Sequence, residues 1–140
     1  EIIELLRQKS RPYLFSNSLA PMIASTSISI IKILDKQSTL IEKLEENTLY
    51  FRKKLMELKF DIIPSTHPIV PIMLYDAQLA AEFAEKLLDH GVYVISFCFP
   101  VVPKEKARIR VQLSSAHSME QLNKALIAFE MVGRELKVIL

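Results

Sequence analysis

The sequence predicts an α+β protein, or a small α/β one, in which helices cover a three-stranded antiparallel sheet. Short apolar or alternating runs predict strands at about 69–75, 92–99 and 108–113. Apolar residues at helical spacing predict one helix after the first strand and another after the third. Residues 61–140 therefore read as a small β-α-β-β-α domain, and long helical patterns precede it.

The first 60 residues are predicted to be mainly helical. An amphipathic pattern at 1–9 leads into an irregular segment at 10–18, where a proline and several polar residues favour a loop. A helix at 19–34 follows, with Ser18 in position to cap its N-terminus. After a short break, a second long helix completes the segment 1–60.

Start and stop signals define the helices of the small domain. Asp76 is in position to cap a helix at 77–90, and Gly91 provides its C-terminal stop. Ser118 and Gln121 have the spacing of a capping box at the start of the last helix.

The connections predict the strand order. A helix joins the first two strands, and the second and third strands follow each other directly. This order most simply puts strand 108–113 in the centre, antiparallel to both others. Pro71 has no N–H to donate to a neighbouring strand, so it favours an edge position for the first strand.

Composition and charge argue against several kinds of site. The 18 basic and 16 acidic residues give a formal net charge of +2, too small for the basic surface that nucleic-acid binding needs. His67, His90 and His117 lie outside metal-ligand spacing, so we interpret them as structural. Cys98 is the single cysteine and cannot form an internal disulfide; we expect a buried, inert thiol.

Hydropathy gives no sign of a membrane span. The sequence contains no stretch of about 20 continuous apolar residues and does not begin with a signal-peptide pattern. We expect a cytoplasmic protein, or a mitochondrial matrix protein in a eukaryote.

Arg110 is the first candidate binding residue. The strand at 108–113 alternates, so Arg108, Arg110 and Gln112 share one face. A guanidinium on a rigid central strand can bind a carboxylate through two parallel hydrogen bonds. An ordinary solvated sheet face explains the same pattern, and this alternative stays open.

Ser16 and Asn17 form the second candidate site. They end a loop just before the predicted start of a helix at residue 19. Free backbone N–H groups and the helix dipole favour an anion at such a point, and the two side chains add hydrogen-bonding groups. Helix capping explains the same residues and also stays open.

Three stretches carry a resemblance to a known family. They are Arg11–Pro21 (RPYLFSNSLAP), His67–Leu74 (HPIVPIML) and Phe99–Gln112 (FPVVPKEKARIRVQ), and the match continues through Ser114–His117 to the last helix. In these residues the chain resembles the α-oxoamine synthase family, and within it the glycine C-acetyltransferases, also called 2-amino-3-ketobutyrate CoA ligases.

The resemblance implies a piece of a larger enzyme. Family members are fold type I, homodimeric enzymes that depend on pyridoxal 5′-phosphate. The glycine C-acetyltransferases join glycine and acetyl-CoA to give 2-amino-3-ketobutyrate in threonine catabolism. The resemblance makes this chain the small C-terminal domain with a helical link, 1–60, from a large cofactor domain. No lysine here stands in the family's Ser-Lys setting, so we expect no catalytic residue in this chain and no activity from it alone.

The resemblance also assigns roles to the candidate residues. It implies that Arg110 binds the substrate carboxylate. It implies that Ser16 and Asn17 contact the phosphate of a cofactor held mainly by the partner subunit. The sequence departs from the family at Tyr75 and Glu105, where glycine is usual, and at Ser115, where alanine is usual; Glu105 puts the shape of its loop in question.

Two alternatives remain at this stage. Other α-oxoamine synthases, such as the 8-amino-7-oxononanoate, 5-aminolevulinate and serine palmitoyl enzymes, share the implied fold and arginine. The same β-α-β-β-α order also suits a non-catalytic module that binds a small carboxylate or mediates dimerisation.

Overall fold

Two units make up the chain in the computed structural model, which describes residues 1–16, 18–36 and 38–140. The first unit is Glu1–Ser38 and the second is Thr39–Leu140. We expected the boundary at residue 60, but the long helix before that point belongs to the second unit because its Phe51 and Leu55 are buried in the core there.

The first unit is helical, with α1 at Ile2–Lys9, α2 at Arg11–Phe15 and α3 at Pro21–Lys36. The segment at 10–18 was expected to be irregular throughout, yet it holds α2. Its proline stands in the first turn of that helix, where the missing N–H costs nothing.

The start of α3 also differs from the prediction. The helix begins at Pro21 rather than residue 19, so Ser18 does not cap it. Proline at the first helical position fits this start, because its fixed φ suits the helix and its N–H is not needed. The N–H groups of Ile23 and Ala24 both donate to the carbonyl oxygen of Ala20, at 3.0 and 3.1 Å.

The second unit contains the remaining elements. They are α4 (Ser38–Glu57), β1 (Ile69–Tyr75), α5 (Ala77–Asp89), β2 (Ile95–Phe97), β3 (Ala107–Gln112) and α6 (Met119–Glu135). The order confirms the predicted β-α-β-β-α arrangement. None of the helices in the described ranges is long and apolar enough to cross a membrane.

The sheet has the predicted topology. Its order is β1-β3-β2, and β3 is antiparallel to both neighbours. Pro71 lies on an edge strand, as expected. The second strand is shorter than the predicted 92–99, because only Ile95, Ser96 and Phe97 pair with β3.

Capping confirms the predicted helix boundaries. The Asp76 side chain accepts a hydrogen bond from the N–H of Leu79 at 2.7 Å. Gly91 has φ +77° after α5, a value that glycine adopts readily. Ser118 and Gln121 form the capping box of α6.

Phe129 lies at the centre of the core. Its ring centroid is 6.0 Å from that of Phe51, 6.1 Å from Phe60 and 5.9 Å from Phe83. These rings come from α4, the segment after it, α5 and α6, so one aromatic cluster joins the helices that cover a single face of the sheet. The other face is left to the candidate site.

Candidate functional site

The sheet face that points away from the core carries the first candidate. We call it the outer face. Residues paired directly across antiparallel strands project to the same side, so the register defines its members: Ile69, Pro71 and Met73 of β1, Arg108, Arg110 and Gln112 of β3, and Ile95 and Phe97 of β2. The face is therefore an apolar frame around two arginines.

Arg110 lies in the middle of the outer face. Pro71 pairs with it from β1 and Ile95 from β2. Its guanidinium carbon is 4.1 Å from the ring centroid of Phe97. The side chain is exposed, and among the described residues no carboxylate lies within 4 Å of it. A held guanidinium without an acidic partner can accept a carboxylate from a ligand.

A cleft opens beside Arg110. Its volume is about 750 Å³, and its lining includes Val92, Val94, Arg110 and Gln112, together with Phe129 from the core. Residues 92–94 line one side of the cleft and do not pair with β3, so β2 is shorter than predicted. The space therefore gives a small ligand access to Arg110.

Arg108 differs from Arg110 although both share the outer face. Its Nε donates to the carbonyl oxygen of Lys106 at 3.0 Å, and the residue is half-buried. Part of its hydrogen-bonding capacity is thus used within the chain. Arg110 is the better placed of the two for an external anion.

The loop before β3 shows how the sequence departures are accommodated. Glu105 has φ +61° and is the third residue of a turn closed by the Lys106 N–H donating to Pro103 O at 3.2 Å. Glycine is favoured at that turn position when φ is positive. The loop therefore has a glycine-like backbone even though Glu105 occupies it.

Tyr75, at the end of β1, also has a backbone conformation that favours glycine. Its φ is +67°, and the Asp76 N–H donates to Leu74 O across it at 2.7 Å. The Tyr75 hydroxyl donates to a carboxylate oxygen of Asp61, and this hydrogen bond raises the pKa of the tyrosine. Lys106 Nζ lies 5.9 Å from the centroid of the same ring. These contacts accompany a backbone conformation that glycine would adopt without strain.

The second candidate site lies in the first unit. Ser16 is exposed and follows α2, and its N–H donates to Pro12 O at 3.0 Å. Asn17 lies outside the described residues. The predicted link between these residues and a helix start is not found, because α3 begins at Pro21 and two of its first N–H groups already have an acceptor. The Ser16 hydroxyl is what remains to contact an anion.

The other singled-out side chains have local structural contacts. The Nδ1 atom of His117 accepts from the N–H of Ser114 at 3.2 Å, and that of His67 accepts from the N–H of Ile69 at 3.1 Å. Cys98 is half-buried rather than buried, with Sγ 3.7 Å from Ala77 O. Within the described ranges, no group of three or more His, Cys, Asp or Glu could hold a metal ion.

Phe97 is the residue near Arg110 that the sequence reading missed. The signal was present, because Phe97 lies in a predicted strand that should pair with the strand of Arg110. Without the register, however, the ring could not be assigned to the outer face or matched to a particular arginine.

Comparison with known proteins gives matches over nearly the whole chain. The aminotransferase class I and II family matches residues 1–129. The chain is 46% identical over 139 residues to the 2-amino-3-ketobutyrate coenzyme A ligase of Escherichia coli strain K12, covering 99% of this chain and 35% of that protein. It is 42% identical over 139 residues to the 8-amino-7-oxononanoate synthase of Thermosipho melanesiensis, covering 99% of this chain and 36% of that protein.

A solved structure confirms the fold. A serine palmitoyltransferase from S. paucimobilis, with PLP and myriocin bound, superposes with a TM-score of 0.88 at 30% identity, covering 97% of this chain and 35% of that one. The chain thus spans about a third of the length of these proteins. On the strength of the family match and these identities, the chain belongs to the aminotransferase class I and II family.

Proposed function

We propose that this chain is part of a glycine C-acetyltransferase, an α-oxoamine synthase that interconverts glycine plus acetyl-CoA with 2-amino-3-ketobutyrate plus CoA. The observation that carries the proposal is Arg110, exposed on a central strand with no acidic partner among the described residues. Both amino-acid substrates present a carboxylate to such a group. The 46% identity to the E. coli ligase supports this choice of reaction.

Arg110 has a defined task in this proposal. Its guanidinium donates two parallel hydrogen bonds to the substrate carboxylate, a geometry that a carboxylate accepts well. Because β3 is the central strand, the anchor is rigid, and the bond to be broken at the neighbouring carbon is kept in one orientation. The Pro71 and Ile95 side chains on either side limit the directions from which a ligand can approach.

The family depends on pyridoxal phosphate, and Ser16 fits one part of that group. Its exposed hydroxyl makes no hydrogen bond among the described residues, so it is available to donate to a phosphate oxygen. We assign Asn17 to the same phosphate from its motif. When bound, the cofactor supplies an electron sink for the charge that develops on the amino-acid carbon.

The rest of the site is assigned to other parts of the protein. The chain covers 35% of the E. coli ligase, so the proposal places the Schiff-base lysine and the ring contacts in the remaining length. It also places the phosphate contacts of Ser16 and Asn17 at a site shared with the second subunit of a homodimer.

A second candidate function is 8-amino-7-oxononanoate synthesis. The observation favouring it is the 42% identity to the T. melanesiensis enzyme, close to the value for the ligase. Both reactions need a carboxylate-binding arginine, so Arg110 does not discriminate between them. The difference lies in the amino acid and in the acyl-CoA.

The test uses the full-length protein with pyridoxal phosphate. Thiol release is followed with glycine and acetyl-CoA, and separately with alanine or serine and longer acyl-CoAs. We expect the highest kcat/KM with glycine and acetyl-CoA. A preference for alanine with a long acyl-CoA would favour the second candidate. If no pair releases thiol although glycine binds, the non-catalytic module becomes the better description.

A further inference from the structure

We infer that Phe97 is a positioning residue that fixes the guanidinium of Arg110 for binding the substrate carboxylate. The inference rests on the proposed function for the identity of the ligand. The contact itself is a feature of the fold, since the guanidinium carbon of Arg110 lies over the Phe97 ring, 4.1 Å from its centroid.

The register explains why these two side chains meet. Ile95 pairs directly with Arg110, and Phe97 pairs directly with Arg108. Phe97 is thus the diagonal neighbour of Arg110 on the outer face. Long and aromatic side chains can reach each other across the distance between diagonal neighbours. The guanidinium reaches along the sheet and lies over Phe97, while Arg110 remains exposed to solvent.

The Phe97 ring is held in place by the sheet. Phe97 is half-buried and its backbone pairs with β3, so it has little freedom to move relative to Arg110. An unsupported arginine would lose side-chain entropy when it binds a ligand. A guanidinium that is already held over a ring loses less side-chain entropy on binding. The affinity for the ligand therefore rises without any new contact to it.

An aromatic partner also suits the chemistry better than an acidic one. A carboxylate would occupy the N–H fork and neutralise the charge, whereas a ring attracts the cation through its π face and presents no oxygen acceptor. In the described part of the chain no carboxylate lies within 4 Å of Arg110. The donors therefore remain available to an incoming carboxylate.

The kinetic test compares Phe97→Leu with Phe97→Tyr in the full-length enzyme. Leucine keeps an apolar side chain but removes the ring, and we expect KM for glycine to rise about 3- to 30-fold. Tyrosine keeps the ring and should restore KM to within about twofold of the unmodified enzyme. KM for acetyl-CoA should stay unchanged in both variants, which a general structural defect would not produce.

A double-mutant cycle shows whether Phe97 acts through Arg110. In an Arg110→Gln background there is no cation to hold, so Phe97→Leu should change KM for glycine less than twofold. Equal effects of Phe97→Leu in both backgrounds would overturn the positioning role.

A spectroscopic measurement tests the contact without relying on activity. In NMR spectra of the unmodified protein, the Arg110 side-chain protons near the ring should be shifted upfield, in Phe97→Tyr the shift should remain, and in Phe97→Leu it should disappear. Absence of the shift in the unmodified protein would refute the inference whether or not Phe97→Leu folds. If the shift is present but Arg110→Gln leaves glycine kinetics unchanged, the role of Arg110 in carboxylate binding is refuted, and the positioning role of Phe97 falls with it. The proposed reaction fails separately, if the unmodified full-length enzyme releases no thiol from glycine and acetyl-CoA. If Arg110→Gln impairs glycine binding and Phe97→Leu does not, the positioning role alone is wrong.

Discussion

Arg52 donates two hydrogen bonds to the carbonyl oxygen of His67, from Nε at 3.3 Å and from Nη2 at 2.9 Å. The same guanidinium donates to Ile63 O at 2.9 Å and to Ile69 O at 2.8 Å. Arg52 is only 5% exposed, and its burial lowers the pKa of the guanidinium. One side chain of α4 thus donates to three carbonyl oxygens in the segment that leads into β1.

Replacing Arg52 should therefore destabilise the second unit. We expect Arg52→Met to lower the free energy of unfolding by about 2–4 kcal/mol, because three carbonyl groups lose their donors. Lys53→Met is the matched control, since Lys53 is exposed on the same helix and should change stability by less than about 0.5 kcal/mol. Chemical denaturation of both variants checks this. Equal stability of the two would show that the Arg52 hydrogen bonds contribute no net stability.

Gly133 is required by the close approach of Phe60. A Cβ atom at residue 133 would lie 2.6 Å from Cζ of Phe60, and that ring is packed against Phe83 and Phe129 at 6.1 Å each. The ring cannot move aside easily, so Gly133→Ala should cost about 1–3 kcal/mol. Thermal unfolding measures the loss. Combining it with Phe60→Leu should cost less than the sum of the two single changes, and strict additivity would argue against the steric explanation.

Three helices end in the same way but only one uses glycine. After α4, α5 and α6 the residues in the left-handed conformation are Lys59 (φ +71°), Gly91 (φ +77°) and Lys137 (φ +57°). In each case the next N–H donates to a carbonyl oxygen five residues back, at 3.0, 2.8 and 2.8 Å. All three ends are therefore Schellman motifs.

Glycine should suit all three positions. Lys59→Gly and Lys137→Gly are expected to raise the free energy of unfolding by up to about 1 kcal/mol, because they remove the Cβ strain of a positive φ. Gly91→Ala should lower it by about 1 kcal/mol although open space surrounds the new methyl group. Urea midpoints of the three variants test this, and a loss of stability in both lysine variants would contradict it.

Glu105 and Tyr75 allow a paired test of strain against side-chain contacts. Glu105→Gly should stabilise the protein by up to about 1 kcal/mol, because φ +61° is strained for glutamate. Tyr75→Gly relieves a similar strain but removes the hydroxyl donor to Asp61 and the ring beside Lys106. We therefore expect a smaller gain or a net loss for Tyr75→Gly. Differential scanning calorimetry that ranks the two in the opposite order would show that these contacts contribute little.

The role of Arg110 has a kinetic prediction of its own. In the full-length enzyme, Arg110→Ala should raise KM for glycine by at least about tenfold and also lower kcat, because the carboxylate anchor both binds and orients the substrate. Arg110→Lys keeps the charge but loses the planar fork, so we expect an intermediate effect. Steady-state kinetics with glycine varied test this, and unchanged glycine kinetics in Arg110→Ala would remove its assigned role.

Local signals in the sequence determined most of the second unit. Asp76, Gly91 and the Ser118–Gln121 capping box set the helix boundaries because they act within one turn of the chain. The alternating run at 108–113 and Pro71 predicted a central and an edge strand, since alternation and a missing N–H are properties of the strand itself. Arg110 was found in the same way, although its role remains a proposal.

Only the tertiary structure decided which residues meet across the fold. The unit boundary moved to Ser38 because Phe51 and Leu55 are buried with residues far along the chain. Residues 92–94 have a strand-like sequence but do not pair with β3, and they line the cleft beside Arg110. Phe97 lies under Arg110 because of strand register, which is fixed by packing over the whole sheet and leaves no signature within a single strand.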